Sequence, residues 1–165
     1  MMSSGEKTAT RTGWAWVVAT ALGAGRLKPG PGTWGSLAAA VVWFAVASGT
    51  HASAAALVWG TVAAAVIATV VGIPASTIVE RESGREDPGF VVIDEVAGQW
   101  VVLIGCPANW EHVLLGLALF RFFDIVKPWP VRKLERLPAG TGIMMDDVAA
   151  GILGLIVMLI VRHWW

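Results

Sequence analysis

Three acidic stations in this chain could do chemistry together: the adjacent pair Asp94–Glu95, Asp124 three residues before Lys127, and the adjacent pair Asp146–Asp147. Aspartate and glutamate without clustered cysteine or histidine form a hard-oxygen donor set. Such a set suits magnesium, which takes one or two carboxylates, several waters and a substrate phosphate. Adjacent acids on a helix point about 100° apart. One of each pair is therefore expected to face the ion, and the other to cap its helix or hold a water. The candidate metal ligands are Asp94, Glu95, Asp124, Asp146 and Asp147. Lys127 and Arg121, each three residues from Asp124, are placed either to pair with it or to reach a phosphate oxygen. Gln99 follows Glu95 by one helical turn and shares its face.

A second candidate is the stretch KPGPGTWGS, Lys28 to Ser36, whose Gly30, Gly32 and Gly35 spell G-x-G-x-x-G. A dinucleotide site needs a strand before these glycines and an acid about 20 residues after them. Here an apolar helix follows and no acid occurs until Glu80, so a nucleotide cofactor is rejected. A phosphate-loop Lys-Ser/Thr is missing too. What survives is a Gly-rich turn at a helix N-terminus, an expected anion site with Lys28, Gly30, Gly32, Thr33, Gly35 and Ser36 as candidate phosphate contacts. Thr33 and Ser36 alternatively cap the helix. Other phosphatase chemistries fail on their motifs. There is no D-x-D, and Cys106, the one cysteine, is followed six positions later by His112 rather than by arginine. A metal-activated water with a carboxylate base is the simplest nucleophile left, with direct attack by an aspartate as the alternative.

Something must carry these groups to one place, and composition says what. The 165 residues suffice for one domain; 56% are hydrophobic and 15% charged, against roughly 25% charged in soluble domains. The formal net charge is zero, so no basic field recommends nucleic acid as a partner. Between Lys28 and Glu80 there is no Asp, Glu, Lys or Arg. That interval predicts two spans, Gly35 to about Ser48 and about Ala52 to Val79, joined at the SGTHAS turn, with Pro74 kinking or ending the second. Asp94–Cys106, His112–Pro128 and Asp146 onward are shorter apolar segments, expected to pack on their neighbours through small residues such as Gly98, Gly116, Ala149, Gly151 and Gly154. Trp14–Ala24 is expected to lie at the interface or dip into the lipid. The expectation is an all-α, small polytopic helical membrane protein of about five membrane-embedded helices plus an N-terminal interfacial or re-entrant helix. Residues 1–12 read as a flexible tail without a secretory signal, and 13–165 as one membrane-embedded domain.

Five alternating spans send eleven of the twelve Lys and Arg residues to one side and only Arg162 to the other. That side is predicted to be cytoplasmic. It also receives KPGPGTWGS and all three acidic stations, whereas His51, His112 and His163 fall on the far side. Carboxylates at a membrane boundary are costly unless paired or metal-bound, which favours one shared site over independent helix caps. A small cation transporter or channel subunit is the alternative. It predicts acids near mid-membrane rather than at span ends. A phosphatidyl-group transferase also needs clustered aspartates, but its D-G…A-R…G…D…D pattern is missing.

The blocks LKPGPGTWGSLAA, VIDEVAGQWVVL, FRFFDIVKPWPVRKLE and GTGIMMDDVAAGI resemble, in order and spacing, those of the phosphatidylglycerophosphatase A family, over about Trp14 to Trp165. The resemblance implies a magnesium-dependent lipid phosphatase of the bacterial inner membrane. Such an enzyme converts phosphatidylglycerophosphate to phosphatidylglycerol and phosphate, facing the cytoplasm. It implies functional positions at Asp94, Glu95, Asp124, Asp146, Asp147 and Lys127, with Mg2+ as cofactor and membrane lipid as partner. Trp129, between two prolines, is expected to anchor its loop at head-group level, and the basic run Val131–Arg136 to attract anionic lipid or to set topology. The acidic stretch ERESGREDPG is read as a solvated linker rather than a lid.

Overall fold

The computed structural model describes residues 11–164, and the tail expected over 1–12 lies almost wholly outside them. The chain is all-helical: α1 (Gly13–Ala19), a 3-10 turn (Ala21–Arg26), α2 (Pro31–Gly49), α3 (Ala54–Ser83), α4 (Ile93–Val102), α5 (Trp110–Val126), α6 (Val131–Leu134) and α7 (Gly140–Trp164). Helix ends follow local chemistry. Gly30 takes a left-handed conformation (φ 67°) so that Pro31, which has no N–H to leave unpaired, can start α2. The Ser53 side chain accepts from the Ala56 N–H at the head of α3, and Asn109 Oδ1 accepts from the His112 N–H at the head of α5. Left-handed Gly84 ends α3.

Three helices are long and apolar enough to cross a membrane: α2, α3 and α7, with mean hydropathy 1.3, 2.2 and 2.2. The five spans expected from the charge pattern are therefore corrected to three. The reason is physical: α4 has 10 residues with Asp94 and Glu95 in its first turn, and α5 has 17 and carries Arg121 and Asp124. The expected interfacial or re-entrant helix is likewise corrected. The segment is a seven-residue α1 and a 3-10 turn folded against α3, with Ala15 and Ala19 packed on Ala75 and Val79. Glu82 clamps this arrangement, accepting from the Thr12 N–H, the Thr12 hydroxyl and Trp16 Nε1. α3 runs through Pro74 for nine further residues instead of stopping there.

The short α4 and α5 still reach the opposite end of the bundle. The Arg162 guanidinium near the end of α7 donates to the Gly105 carbonyl in the turn between them, and a side chain at Gly105 would touch Val58 near the start of α3. The pair enters and returns, so α3 ends and α7 begins on one side. Small residues make that nesting close. An added Cβ at Gly98 would strike the Phe120 ring and the Asp147 carbonyl; one at Gly151 would strike the Gly98 carbonyl; Gly116 and Gly154 face Leu103 and Val102. Three polar contacts bind α2, α3 and α4 within the apolar layer. Trp43 Nε1 donates to Thr61 Oγ1 (2.8 Å), Thr61 donates to the Leu57 carbonyl (2.8 Å), and Trp100 Nε1 donates to the Ala39 carbonyl (3.0 Å).

Candidate active site

The α4–α7 crossing sets the acids face to face. Asp94 and Glu95 occupy the first turn of α4, and Asp146 and Asp147 lie two turns into α7, just above Gly98 and Gly151 in the contact. Each of Asp94, Glu95 and Asp147 offers a carboxylate oxygen, and these atoms lie within 4.8 Å of one another. Asp94 and Asp147 are buried. Asp94 Oδ1, Glu95 Oε2 and Asp147 Oδ2 have no hydrogen-bond partner among protein atoms. Buried, unpartnered anionic oxygens this close together repel one another and lose their hydration unless a cation sits among them. The donor set therefore fits a hard divalent ion such as Mg2+, which prefers carboxylate oxygens. Asp94 and Asp147 come from stations more than 50 residues apart in sequence, and the fold unites them.

The last turn of α5 adds the countercharges. Arg121 Nη1 lies 2.6 Å from Asp124 and 3.8 Å from Glu95, which ties the back of the cluster together. Lys127 ends α5 in the left-handed conformation (φ 44°), where its charge also complements the helix C-terminus. That turn sends its Nζ to Asp146 Oδ2 at 2.7 Å, rather than to Asp124, with Glu135 Oε1 at 3.4 Å. Burial alone would lower the lysine pKa, but the Asp146 contact outweighs it and holds the ammonium above its ordinary value. The Asp146 contact thus favours the ammonium form of Lys127, which is placed to stabilise anionic oxygens.

These groups line a cavity of about 450 Å³. It contains Asp94, Glu95, Asp124, Lys127, Asp146 and Asp147 from the sequence-derived set, and four acids that set did not include: Glu80, Glu86, Asp87 and Glu135. Nine carboxylates and a single cation face this space among the described residues. The ERESGREDPG stretch is part of its wall, not a detached linker. Loop acids give no periodic signal, and only Glu80, directly after the apolar run of α3, hinted at a boundary position. Gln99, fully buried on α4, leaves both amide atoms without protein partners but does not line the cavity.

The Gly-rich stretch abuts the cluster from behind, outside the cavity lining. Lys28, Gly30, Gly32, Thr33, Gly35 and Ser36 do not line the cavity. The Thr33 and Trp34 N–H groups are already donated to the Gly30 carbonyl at 3.0 and 3.3 Å, which removes two donors an anion would need. Ser36 Oγ, buried, donates to the Gly32 carbonyl at 2.8 Å and caps nothing, while Thr33 is exposed. What the glycines do is allow contact. A Cβ at Gly32 would collide with the Glu95 carboxylate, and one at Gly35 would sit 2.8 Å from Val92 Cβ. The loop braces the first turn of α4. Lys28 faces a separate concavity with Arg11, Arg26 and Arg85.

The phosphatidylglycerophosphatase A family profile matches residues 17–162, which include every acid of the cavity. The chain belongs to this family. With that membership it is an enzyme of the lipid phosphatase class. Among curated relatives it is 35% identical to the phosphatidylglycerophosphatase A of Haemophilus influenzae, covering 90% of this chain and 88% of that one. It is 32% identical to the phosphatidylglycerophosphatase A of Escherichia coli, covering 90% and 84%. It is 41% identical, over 88% of this chain and 92% of the relative, to a Bacteroides thetaiotaomicron protein with the provisional name phosphatidylinositol-3-phosphatase. No solved structure is significantly similar to the chain.

Proposed function

We propose that this chain hydrolyses the phosphomonoester of phosphatidylglycerophosphate at the cytoplasmic face of a bacterial inner membrane, leaving phosphatidylglycerol in the leaflet and releasing inorganic phosphate. The observation that carries the reading is the carboxylate trio of Asp94, Glu95 and Asp147, close together and each with an unpartnered buried oxygen, with the Lys127 ammonium bonded to the neighbouring Asp146. Asp94, Glu95 and Asp147 would hold Mg2+, and Asp124 and Asp146 border them. The ion supplies charge neutralisation on the phosphoryl group and lowers the pKa of water. Lys127 offsets charge that builds on the phosphoryl oxygens as the ester breaks. A carboxylate of the cluster takes one proton from the attacking water, the new P–O bond forms as the P–O bond to glycerol breaks, and that proton is returned to the departing glycerol oxygen. Arg121 holds Asp124 and Glu95 in register from behind.

Location supports the same reading. Asp147 lies fifteen residues before Arg162 on α7, roughly 22 Å of helix rise from the opposite end of the bundle. Against a hydrocarbon layer of about 30 Å, this puts the acids toward one lipid boundary, where a lipid phosphate resides. A cation pathway would instead string carboxylates along the middle of the spans, and the described residues place none there. Ten of the eleven described Lys and Arg residues lie at the cavity end, which supports a cytoplasmic orientation.

The relatives' names offer two substrates with one shared element. In phosphatidylglycerophosphate and in phosphatidylinositol 3-phosphate, the phosphodiester and the phosphomonoester sit on carbons in a 1,3 relation. The test is phosphate release by the purified protein from each lipid, with and without Mg2+. The expected result is Mg2+-dependent turnover of phosphatidylglycerophosphate that falls by at least about 100-fold in Asp94→Asn and Asp147→Asn. Unchanged turnover in both variants would remove the mechanism. Preference for the inositol lipid would reassign the substrate.

A further inference from the structure

A second concavity of about 420 Å³ adjoins the acidic one and shares Lys127 with it. Its charge is the reverse. Arg132, Lys133 and Arg136 line it together with Val126 and Trp129, and no acid does. Glu135, the one acid of this segment, turns the other way to within 3.4 Å of Lys127 Nζ and lines the carboxylate cavity instead. Four-residue α6 and the turn after it make this sorting: buried Val131 fixes the helix to the bundle, and Arg132, Lys133 and Arg136 line the same concavity. Lys133 Nζ lies over the Trp129 ring, 5.6 Å from its centroid. The rim is apolar and open, with Ile125 71% and Trp129 76% exposed, continuing the bare face of α5 at Phe122.

We propose that this basic cleft seats the phosphodiester of the lipid substrate, so that the site selects lipids bearing a phosphodiester and a phosphomonoester joined by a short bridge. The proposal rests on the reading of the carboxylate cavity as the phosphomonoester site. Lys127 is the partition between the two clefts, and a bridge of three carbons is short enough to straddle one side chain. The acyl chains then leave along Val126, Trp129 and the exposed side of α5, which is the lipid-facing exit that a membrane-resident substrate needs. Topology alone would account for three cations at this end of the chain. It would not gather them in one concavity, exclude the intervening Glu135, and open that concavity onto both the catalytic cavity and the lipid. A lipid with the monoester alone, such as phosphatidic acid, fills one cleft and leaves the other unused.

The experiment compares kcat/KM for phosphatidylglycerophosphate and phosphatidic acid, using the purified full chain in nonionic micelles with Mg2+. Arg132→Gln/Arg136→Gln and Lys133→Gln are expected to lose roughly 10-fold or more on the two-phosphate lipid, the scale of a charge-assisted phosphate contact, while phosphatidic acid turnover stays within about twofold. Product inhibition by phosphatidylglycerol, which carries the diester alone, weakens in parallel. Removing equal charge elsewhere, in Arg81→Gln/Arg85→Gln, leaves the ratio of the two substrates unchanged. Equal losses on both lipids, or an unaltered ratio with unaltered product inhibition, would overturn the proposal, because the cations would then only attract anionic surfaces. Absence of wild-type turnover on phosphatidylglycerophosphate would overturn the underlying reading of the carboxylate cavity, and the proposal with it.

Discussion

Gly98→Ala probes whether the α4–α7 crossing sets the metal geometry. The new methyl would lie 2.6 Å from the Asp147 carbonyl oxygen and against the Phe120 ring. The ring can tilt, but the carbonyl is locked in the α7 hydrogen-bond ladder. Ordinary contact begins near 3.4 Å, so α4 and α7 must part by roughly 0.8 Å. Overpacking of this kind costs about 1–3 kcal/mol. The same displacement acts directly on catalysis, because Asp94 rides on one helix and Asp147 on the other. In the proposed site their oxygens would have to hold a shared ion to within about 0.5 Å, and misplacement near 1 Å lowers rates on the order of 100-fold. The assay is Mg2+-dependent phosphate release across a metal titration, alongside thermal unfolding in the same detergent. The expected variant is folded, with a lower Tm, a weaker apparent Mg2+ affinity and kcat reduced about 10- to 100-fold. Gly60→Ala, where a Cβ meets nothing within 4 Å, should leave the rate and the Mg2+ dependence unchanged. A folded Gly98→Ala with wild-type Mg2+ dependence and rate would refute the coupling of helix spacing to the site.

Lys127→Met leaves Asp146, whose side chain is 6% exposed, without its partner. We expect a stability loss of about 1–3 kcal/mol, discounted because the lysine is itself partly exposed, together with a fall in kcat larger than any change in KM. The lysine pKa is raised on folding, so its contribution is fully present below the ordinary 10.5 and is lost only as pH rises through the folded value. The stability difference between wild type and variant should therefore be flat across neutral pH, and a slope there would contradict it. Trp43→Phe removes the donor to Thr61 Oγ1 and should lower stability by about 1 kcal/mol in thermal unfolding without altering kcat. Arg85→Cys, in the loop beside the cavity, should react with an impermeant thiol reagent only after the cytoplasmic face is exposed; labelling in intact cells would reverse the orientation.

Reading residues in order reveals the acids far better than the helices that carry them. Asp94, Glu95, Asp124, Asp146 and Asp147 were legible because a carboxylate beside an apolar run has few structural excuses. Lys127 was legible as a member but not in its partner. Helical spacing points it at Asp124, and the left-handed turn it makes before Pro128 swings it to Asp146. The G-x-G-x-x-G stretch is ambiguous in a different way. Glycines that admit a phosphate and glycines that admit another helix look identical in one dimension, and only the contacts of Gly32 with Glu95 and of Gly35 with Val92 tell them apart. Glu86, Asp87 and Glu135 escaped notice because acids in polar loops normally face water, and Glu80 because it lies in the last turns of α3 past the apolar run. The span number failed at α4 and α5, which reach the far end of the bundle only as a packed pair, neither being long and apolar enough to cross alone.

The bare apolar side of α5, opening beside Lys127, has a kinetic consequence. A substrate admitted from there never leaves the leaflet, so encounter is a search in two dimensions. Velocity should then follow the mole fraction of substrate among surrounding amphiphiles rather than its amount per litre, and diluting the surface with inert detergent should slow the enzyme at constant bulk concentration. Under the proposed reading orthophosphate would depart into water while the lipid product stayed in the leaflet, so the two products would part company as they formed.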